Sequence, residues 1–477
     1  MSDKQARGYK GKIHLEFEEE YGVTPAAADR KPFLVAINNF SPKASDALND
    51  DPLIRGTRNP APPGRGNVDV SGDAGVPLDA HMTGQFLRAM FGLPVSTLVE
   101  AVSLSAGAVV DKGTGKVGLP AVGHGLEPGT PVIIDGTVNY DGDYVLTAET
   151  SADELVISAT YVAETVSAAD TVTPARRVTL TAGDVADKSG GKVGLPAAAH
   201  GLPVGAEITV TGTTAYDATY TVLRGTTANE LVVTATYVEE TLDGSEVADC
   251  RFYNHVYSVS DEQPSMSAGK VIPDIGLYSV CSGLKIGSVT FSGGGSGVVG
   301  LSLPMSGRDE AKESAAYDAD PAVASVQYPL HRFSQKHARI EEGGESLTKR
   351  VITVSMDVNF NLDTGEEQYT IGSGGRRGDL PEGIMALSGS VSALLKDSRF
   401  IDRGENAERT SMKLSWVNGG YAIVLFMEEL EFSRNYPALS GPQGMKEDFS
   451  FTSFLDTGSA GSALVVTLRN EIKTWEV

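Results

Sequence analysis

The sequence is poor in cysteine, in basic residues and in long apolar runs, and each shortage excludes a class of protein. Two cysteines, Cys250 and Cys281, cannot form a disulfide framework, so we expect buried free thiols in a reducing compartment. The N-terminal residues lack an apolar core, and no apolar run approaches the ~18 residues of a spanning helix, so we expect neither a secretory signal nor a membrane anchor. Lys and Arg number 39 against 62 Asp and Glu, and the net charge of −23 repels nucleic acid.

Turn-forming residues are abundant instead. The 477 residues include 54 Gly and 23 Pro, which is typical of an all-β chain with many turns and falls short of a disordered composition. Apolar residues make up 41%, which is enough for the cores of three or four domains. We therefore predict a mainly β protein with several packed units.

The interior of the chain contains a tandem repeat with a constant spacing of 76 residues. The segments and tyrosines that keep this spacing are Lys-Val-Gly-Leu-Pro at 116–120 and 192–196, His-Gly-Leu at 124–126 and 200–202, and Tyr140, Tyr144 and Tyr161 with Tyr216, Tyr220 and Tyr237. A constant spacing without gaps indicates one folding unit copied once, and two copies are too few for a solenoid.

We predict that each copy is a small β-sandwich, at 102–177 and 178–249, inserted into a body made of 1–101 and 250–477. Short strands separated by turn formers are predicted at 131–134, 144–148 and 155–159, and again at 207–211, 220–223 and 231–235. The insert contains 20 acidic and 7 basic residues, so its net charge of −13 is over half of the chain's −23.

The sequence of the first part of the body predicts a strand, a loop and one helix. Residues 12–18 alternate with apolar side chains at odd positions, which predicts a half-buried strand. In 78–91, Met82, Phe86 and Met90 fall on one helical face, and Gly92 and Pro94 supply the stop, so this helix is expected to flank a sheet.

A loop-rich segment at 41–77 places three arginines in an otherwise acidic chain. These are Arg55, Arg58 and Arg65. They favour a solvated loop, and the alternative is a segment that docks on an acidic neighbouring subunit.

The second part of the body reads as a run of strands. A hairpin is predicted from 284–291 and 298–303 around a glycine-rich turn. Residues 352–362 then alternate strictly, with apolar side chains at even positions, and further strands are predicted at 412–416, 421–426, 448–454 and 463–468. The polar face of 352–362 consists of Thr353, Ser355, Asp357, Asn359 and Asn361.

No pattern in the sequence predicts catalysis, a cofactor or a metal. Gly113-Thr114-Gly115-Lys116 lacks the Ser or Thr that a phosphate loop requires after its lysine. The repeated His124 and His200 stand in turns without a second ligand, and the acidic residues near Asp141 are mostly replaced in the second copy. We expect the repeated tyrosines to pack between strands rather than to bind glycans.

The body resembles the tail tube proteins of long-tailed, siphovirus-like bacteriophages. The resemblance rests on the N-terminal strand followed by Tyr21-Gly22-Val23-Thr24-Pro25, on Val68-Asp69-Val70-Ser71-Gly72, on the helix ending Phe91-Gly92, on 252–257, on 278–284 before the hairpin, and on the last strand at 462–470. It covers 1–101 and 250–477. The inserted copies resemble the small immunoglobulin-like modules of phage structural proteins, and their place inside the body departs from the usual pattern.

The resemblance implies a fold of β-sandwich or barrel type that self-assembles into stacked, hexameric rings in the virion tail. With four strands of each copy facing the channel, ~24 strands spaced ~4.8 Å apart give a channel roughly 37 Å across, wide enough for duplex DNA. It further implies contacts with the tape measure, tail terminator and tail tip proteins, synthesis in the host cytoplasm, and DNA that passes without sequence-specific binding.

Two questions stay open at this level. The channel lining is either 351–362 or the hairpin at 284–303. The insert is expected to decorate the outer surface. The alternative function is an adhesin or baseplate-type protein that uses the insert for host attachment, and a hydrolase is a third reading without paired carboxylates to support it.

Overall fold

The computed structural model describes residues 5–49, 54, 56–59, 61–320, 324–439 and 444–475. The described chain is mainly β, as predicted, with two α-helices. The N-terminal elements are β1 (Lys12–Phe17), β2 (Phe33–Leu34), β3 (Asn39–Phe40), β4 (Lys43–Asn49), β5 (Gly64–Pro77), α1 (Met82–Phe91) and β6 (Val95–Leu98).

The middle of the chain forms short strands in two similar sets. They are β7 (Val102–Ser103), β8 (Gly107–Ala108), β9 (Val110–Gly113), β10 (Lys116–Pro120), β11 (Pro131–Asp135), β12 (Gly142–Val145), β13 (Glu154–Ser158), β14 (Thr165–Val166), β15 (Thr171–Thr179), β16 (Gly183–Asp184), β17 (Ala186–Asp187), β18 (Lys192–Pro196), β19 (Glu207–Thr211), β20 (Ala218–Thr221), β21 (Glu230–Thr234), β22 (Thr241–Leu242) and β23 (Val247–Arg251).

The C-terminal part returns to longer strands. They are β24 (Tyr253–Ser258), β25 (Met266–Ile272), β26 (Leu277–Ile286), β27 (Ser288–Gly294), β28 (Gly300–Gly307), β29 (Asp309–Glu313), β30 (Ala338–Glu342), β31 (Glu345–Ser346), β32 (Val351–Asn359), β33 (Ala386–Leu394), α2 (Arg399–Asn406), β34 (Thr410–Asn418), β35 (Tyr421–Phe432), β36 (Lys446–Phe454) and β37 (Val465–Asn470).

Both sequence segments of the body contribute to one apolar core. It contains Ile13 and Val70 from the first segment and Phe291, Trp416 and Leu468 from the second, all less than a tenth exposed. The predicted helix begins at Met82 rather than at 78, because Asp79 Oδ1 accepts hydrogen bonds from the backbone N–H groups of His81 (2.9 Å) and Met82 (2.6 Å) and so fixes the start. All of α1 except Arg88 is buried, so it lies inside the core rather than on its rim.

The prediction of one flanking helix missed α2. This helix has eight residues, and Phe400 is its one buried side chain. The helix is short and mostly exposed, and Gly404 in its middle lowers its helix propensity, so it lacks the length and the fully buried apolar face by which α1 was predicted.

Each of the two middle sets of strands encloses its own apolar core. Tyr140 occupies the first core and Tyr216 the second, and each is almost fully buried. The Tyr140 hydroxyl donates to the carbonyl of Val162 (2.7 Å) and accepts from its N–H (2.8 Å), and Tyr216 does the same with Val238. These tyrosines pack between strands and fix the loop that follows.

The two sets share a sheet in the order β12, β11, β15, β23, β19, β20. Strand β15 pairs with β11 through Thr171–Pro174 positions and with β23 through Ala175–Thr179 positions. The predicted boundaries at 177/178 and 249/250 therefore fall inside β15 and β23. We refer to residues 99–252 as the insert, because Val99 N–H donates to Phe252 O (2.9 Å) and the flanking strands β6 and β24 pair with each other. The insert thus stands in place of a hairpin loop.

Candidate functional site

One face of the body sheet is polar across six neighbouring strands. Antiparallel ladders join β5, β28, β27, β32, β33 and β36 in that order. Alternate side chains of these strands are buried in the body core, and the others are exposed or half-buried. We call the central residues of this second set the polar face; they are Ser71, Asp73, Ser302, Pro304, Ser306, Ser288, Thr290, Ser292, Thr353, Ser355, Asp357, Asn359, Ser388, Ser390, Ser392, Asp448, Ser450 and Thr452.

The register between strands places these side chains on the same side. Ser355 stands between Ser292 on β27 and Ser390 on β33. Further along the sheet, Ser302 is the partner of Thr290. Because side chains on directly opposed residues of antiparallel strands share a face, the polar residues form one continuous surface.

Four of the five residues predicted to line a channel lie on the polar face. Thr353, Ser355, Asp357 and Asn359 alternate along β32. Asn361 follows the strand in a left-handed conformation with φ of 48°, and its N–H donates to Asn359 Oδ1 (2.9 Å). The predicted strand 352–362 therefore ends early, since this turn leads the chain away from the sheet.

The two regions that sequence reasoning offered as alternative linings are neighbours in the structure. β27, from the predicted hairpin, pairs with β32 over Ser288–Gly294, and Ser288, Thr290 and Ser292 share the face of the β32 residues. Any molecule that contacts one of these two candidate linings would therefore also contact the other.

The polar face is built from hydroxyl groups and carboxylates. Its charged members are Asp73, Asp357 and Asp448, and the basic residues Arg65 and Lys446 follow the same alternation at its margins, near the ends of β5 and β36. Thr290 Oγ1 donates to Asp357 Oδ1 across the β27–β32 ladder (2.6 Å). Arg377, near the face, is buried and ion-paired with Asp69 (2.6 Å). The middle of the polar face therefore has no fixed cation to hold a phosphate.

The three arginines predicted to dock on a neighbour are only partly described. Arg55 lies outside the described residues, and Arg58 is exposed. Arg65 on β5 donates to Asp46 Oδ2 on β4 (2.7 Å), so it is engaged within its own hairpin. Their role in docking stays a prediction.

A buried ionic cluster joins the insert to the body. Glu471 is fully buried and accepts from His81 Nε2 (2.8 Å), from Arg176 Nη1 (2.9 Å) and from the Tyr421 hydroxyl. Burial raises the pKa of Glu471, but the hydrogen bond from His81 and the charges of His81 and Arg176 outweigh it and lower that pKa to about 2. A carboxylate that takes one bond from the insert and two from the body fixes their relative position.

The C-terminal segment provides a second attachment. Ala206 of the insert forms a β-bridge with Ile472, and Gly205 O accepts from Lys473 N–H (2.8 Å). An exposed ion pair between Glu127 and Arg339 (2.6 Å) adds a third contact. None of these contacts uses a strand of the polar face.

Groups that could suggest metal binding are engaged in local turns. Asp141 Oδ1 accepts from the N–H and hydroxyl of Thr137, and His124 Nε2 contacts Ser151 O (2.6 Å). Among the residues with described positions, no three His, Cys, Asp or Glu side chains are grouped as metal ligands. No helix in the described part is long and apolar enough to cross a membrane.

Sequence reasoning missed most of the polar face outside β32. β33 carries Ser388, Ser390 and Ser392 in alternation with Leu387 and Val391, so a pattern of period two was present there. The cluster around Glu471 gave no comparable signal, because its members come from four segments far apart in the chain.

Comparison with known proteins adds one result to this geometry. A family model described as phage tail tube protein matches residues 8–453, which include most of both body segments and all of the insert. A search of curated proteins gives no match. The chain belongs to the phage tail tube protein family.

Proposed function

We propose that copies of this chain close into rings that stack into the tail tube of a long-tailed phage, and that the genome passes through the tube at ejection. Family membership supports a structural role in the virion tail. The observation that carries the finer proposal is the polar face: a wide, exposed sheet surface whose centre carries hydroxyl groups and carboxylates and whose basic residues, Arg65 and Lys446, lie at its margins. The chain as a whole has a net charge of −23.

The chemistry of the polar face suits a surface over which DNA slides. Nucleic-acid affinity arises chiefly from Lys and Arg that neutralise phosphates and release counterions. Hydroxyl groups keep the wall wetted, while Asp73, Asp357 and Asp448 repel the phosphates. A lining of this kind keeps duplex DNA in the channel without binding it.

The insert fits the outer side of such a ring. It replaces the β6–β24 hairpin loop, and its described contacts with the body avoid the polar-face strands. With a net charge of −13 it is strongly hydrated, as an exposed decoration requires. In the same proposal, the tape measure, terminator and tip proteins contact the tube through its inside and its two ends.

Assembly is the first test. Purified protein is concentrated and imaged by negative-stain electron microscopy, and we expect hollow tubes or rings with a central channel. An epitope inserted beside the exposed Val138 should bind antibody on the outside of intact tubes. A chain that forms neither rings nor tubes at any concentration would contradict the proposal and favour the adhesin alternative.

Adding positive charge to the lining is the second test. Ser355 and Ser390 are cross-strand partners on the polar face, so Ser355→Lys with Ser390→Lys places two cations side by side in the channel. We expect tubes that retain duplex DNA and release it as salt is raised. Ala152→Lys on an exposed turn of the insert is the control and should leave DNA passage unchanged. Equal behaviour of both variants would place the lining elsewhere.

A further inference from the structure

The body consists of two halves with the same strand pairing. The first half contains β1, β4, β5, α1, β25, β26, β28 and β29, and the second contains β30, β32, β33, α2, β34, β35, β36 and β37. In each half a long hairpin is followed by a helix and then by a second hairpin. The first half differs by carrying β6, the insert and β24 between its helix and β25.

Six ladders of the first half have counterparts in the second. The matched ladders are β1–β25 with β30–β34, β4–β5 with β32–β33, β5–β28 with β33–β36, β25–β26 with β34–β35, β26–β28 with β35–β36, and β26–β29 with β35–β37. All are antiparallel. A shared order of six ladders is far more than two unrelated sheets would have in common.

The register agrees as well as the order. Lys285, Ser306 and Ser71 are side-by-side partners on β26, β28 and β5. Glu431, Thr452 and Ser388 are the corresponding partners on β35, β36 and β33. The β25–β26 and β34–β35 ladders also share an irregularity directly after their first paired residues, Met266 and Thr410.

The sequence keeps a faint trace of this correspondence. Val70-Ser71-Gly72 corresponds through the ladders to Leu387-Ser388-Gly389, 317 positions later. The helices begin at Met82 and Arg399, which are separated by the same 317 positions. Beyond these residues the two halves share little, so the ladders carry the equivalence.

The junction between the halves shows how one half joins the next. After β26, strand β27 crosses over and pairs along the outer edge of β32, the first strand of the second half's long hairpin. β27 begins after Gly287, whose N–H donates to Pro304 O (2.8 Å). In the second half, Ser433 N–H donates to Ser450 O at the same distance, both residues being 146 positions later.

The junction pairs β27 with the outer edge of β32, and each of these two partners has an equivalent at one end of the chain's sheet. Residues 433–439 occupy the place of β27, and they are exposed or half-buried. β4 is the counterpart of β32, and in the described part of the chain no strand pairs with its outer edge. One end of the sheet therefore has residues 433–439, the equivalent of the strand that joins the two halves. The other end has the free edge of β4, the equivalent of the edge to which that strand binds.

We propose that residues 433–439 of one chain lie along the outer edge of β4 in a second copy, and that three chains close the ring. This inference rests on the proposed tube and fixes its composition. Three chains supply six equivalent halves, so the ring has sixfold pseudosymmetry with half as many chains as the family resemblance implies.

The strand count supports this closure. Each half brings four segments to the polar sheet: β4, β5, β28 and β27 in the first, and β32, β33, β36 and 433–439 in the second. Three chains thus give ~24 strands, the number that encloses a channel of roughly 37 Å at ~4.8 Å spacing. Six chains would give about twice the circumference, which is far wider than a duplex requires.

Native mass spectrometry of rings and electron microscopy of tubes test the proposal without altering the protein. We expect rings of about 150 kDa from the 50.0 kDa chain, and three insert densities around each ring. Rings of about 300 kDa with six insert densities would overturn the three-chain inference and leave the tube proposal intact. Failure to form rings or tubes would overturn the proposed function itself.

A disulfide test locates the contact. By correspondence with Ser288 and Asn359, which are partners on β27 and β32, Arg434 should face Ser45 of the next chain. Oxidised tubes of a Ser45→Cys, Arg434→Cys variant should give covalent products ending at three chains on a denaturing gel. The control, Ser288→Cys with Asn359→Cys, should form its bond within one chain. A control bond without the intermolecular bond, or a ladder that continues to six chains, would contradict the proposal.

Discussion

The two repeats of the insert and the two halves of the body are both pairs of copies, but the repeats share side chains whereas the halves share strand pairing. The insert repeats keep side chains: Tyr140 and Tyr216 make the same hydrogen bonds to Val162 and Val238. The body halves keep ladders and change side chains, so that Lys285 in one half corresponds to Glu431 in the other.

The difference follows from how each pair is surrounded. Each insert repeat is small and folds around its own core, so a few side chains, such as its buried tyrosine, decide its stability. Ladder hydrogen bonds come from the backbone and tolerate any sequence that keeps apolar and polar residues in alternation. The body halves meet different neighbours, since the first half alone carries the insert, and their side chains are free to diverge.

The largest expected effect tests whether the insert is as independent as its repeats suggest. Glu471→Ala leaves Arg176 and His81 without their buried acceptor. Removing one partner of a buried ion pair costs about 3–5 kcal/mol, so we expect a large drop in the free energy of unfolding, measured by denaturant titration.

Glu127→Ala is the matched control for that experiment. The Glu127–Arg339 pair also joins insert and body, but both side chains are about a third or more exposed. Exposed pairs contribute about 0–1 kcal/mol. If Glu471→Ala lowered the free energy of unfolding as little as Glu127→Ala, the buried cluster would not couple the stability of the insert to that of the body.

The contact between the body halves should give the chain an acid-sensitive stability. His255 on β24 is fully buried, and its ring nitrogens contact Ser96 Oγ (2.8 Å) and Asn470 Oδ1 (3.0 Å). Burial lowers the pKa of His255 to about 4, so the folded chain keeps it neutral. Below pH 6.5 the unfolded chain binds the proton first, and the free energy of unfolding falls by ~3 kcal/mol between pH 6.5 and 4.

Replacing His255 separates its contribution to the pH dependence of stability from the contributions of other titratable groups. His255→Gln should reduce the loss of stability between pH 6.5 and 4 in denaturant titrations. It should leave the pH dependence of the stability between pH 7 and 8 unchanged. A variant with the same slope as the original chain below pH 6.5 would show that His255 does not control this window.

The sequence predicts the parts of this molecule whose patterns are local. Alternation predicted β32, and a constant spacing revealed the insert repeats. The predicted hairpin strand at 284–291 is divided at Gly287 between β26 and β27, and β27 pairs mainly with β32. Strand β32 was predicted to reach 362 but ends at Asn359, because the left-handed turn at Asn361 interrupts a pattern of alternation that continues past it. The equivalence of the body halves and the cluster of Glu471, His81, Arg176 and Tyr421 depend on contacts between distant segments, which leave no periodic signal.

A smaller effect should confirm that the insert repeats are equivalent. Tyr140→Phe and Tyr216→Phe each remove a hydroxyl that both donates to and accepts from a backbone group. We expect each to lower the free energy of unfolding by about 1–3 kcal/mol, since a buried carbonyl and N–H lose their partner. Thermal melts should place the two variants within ~0.5 kcal/mol of each other; a much larger difference would mean that contacts with the body support one repeat.

The smallest expected effect concerns the edge at which the body halves of different chains would meet. Ala44 N–H on β4 donates to Glu310 Oε2 (2.9 Å) in the isolated chain, and Lys270 holds the other carboxylate oxygen (2.8 Å). A charged side chain on a strand edge discourages pairing with another chain. Glu310→Ala should therefore lower the concentration at which tubes form by a few-fold, measured by sedimentation. Glu310→Gln keeps an oxygen for Ala44 and should fall between the two. If Glu310→Ala melts at the temperature of the original chain but polymerises no more readily, the carboxylate does not guard this edge, and the block on early assembly lies elsewhere.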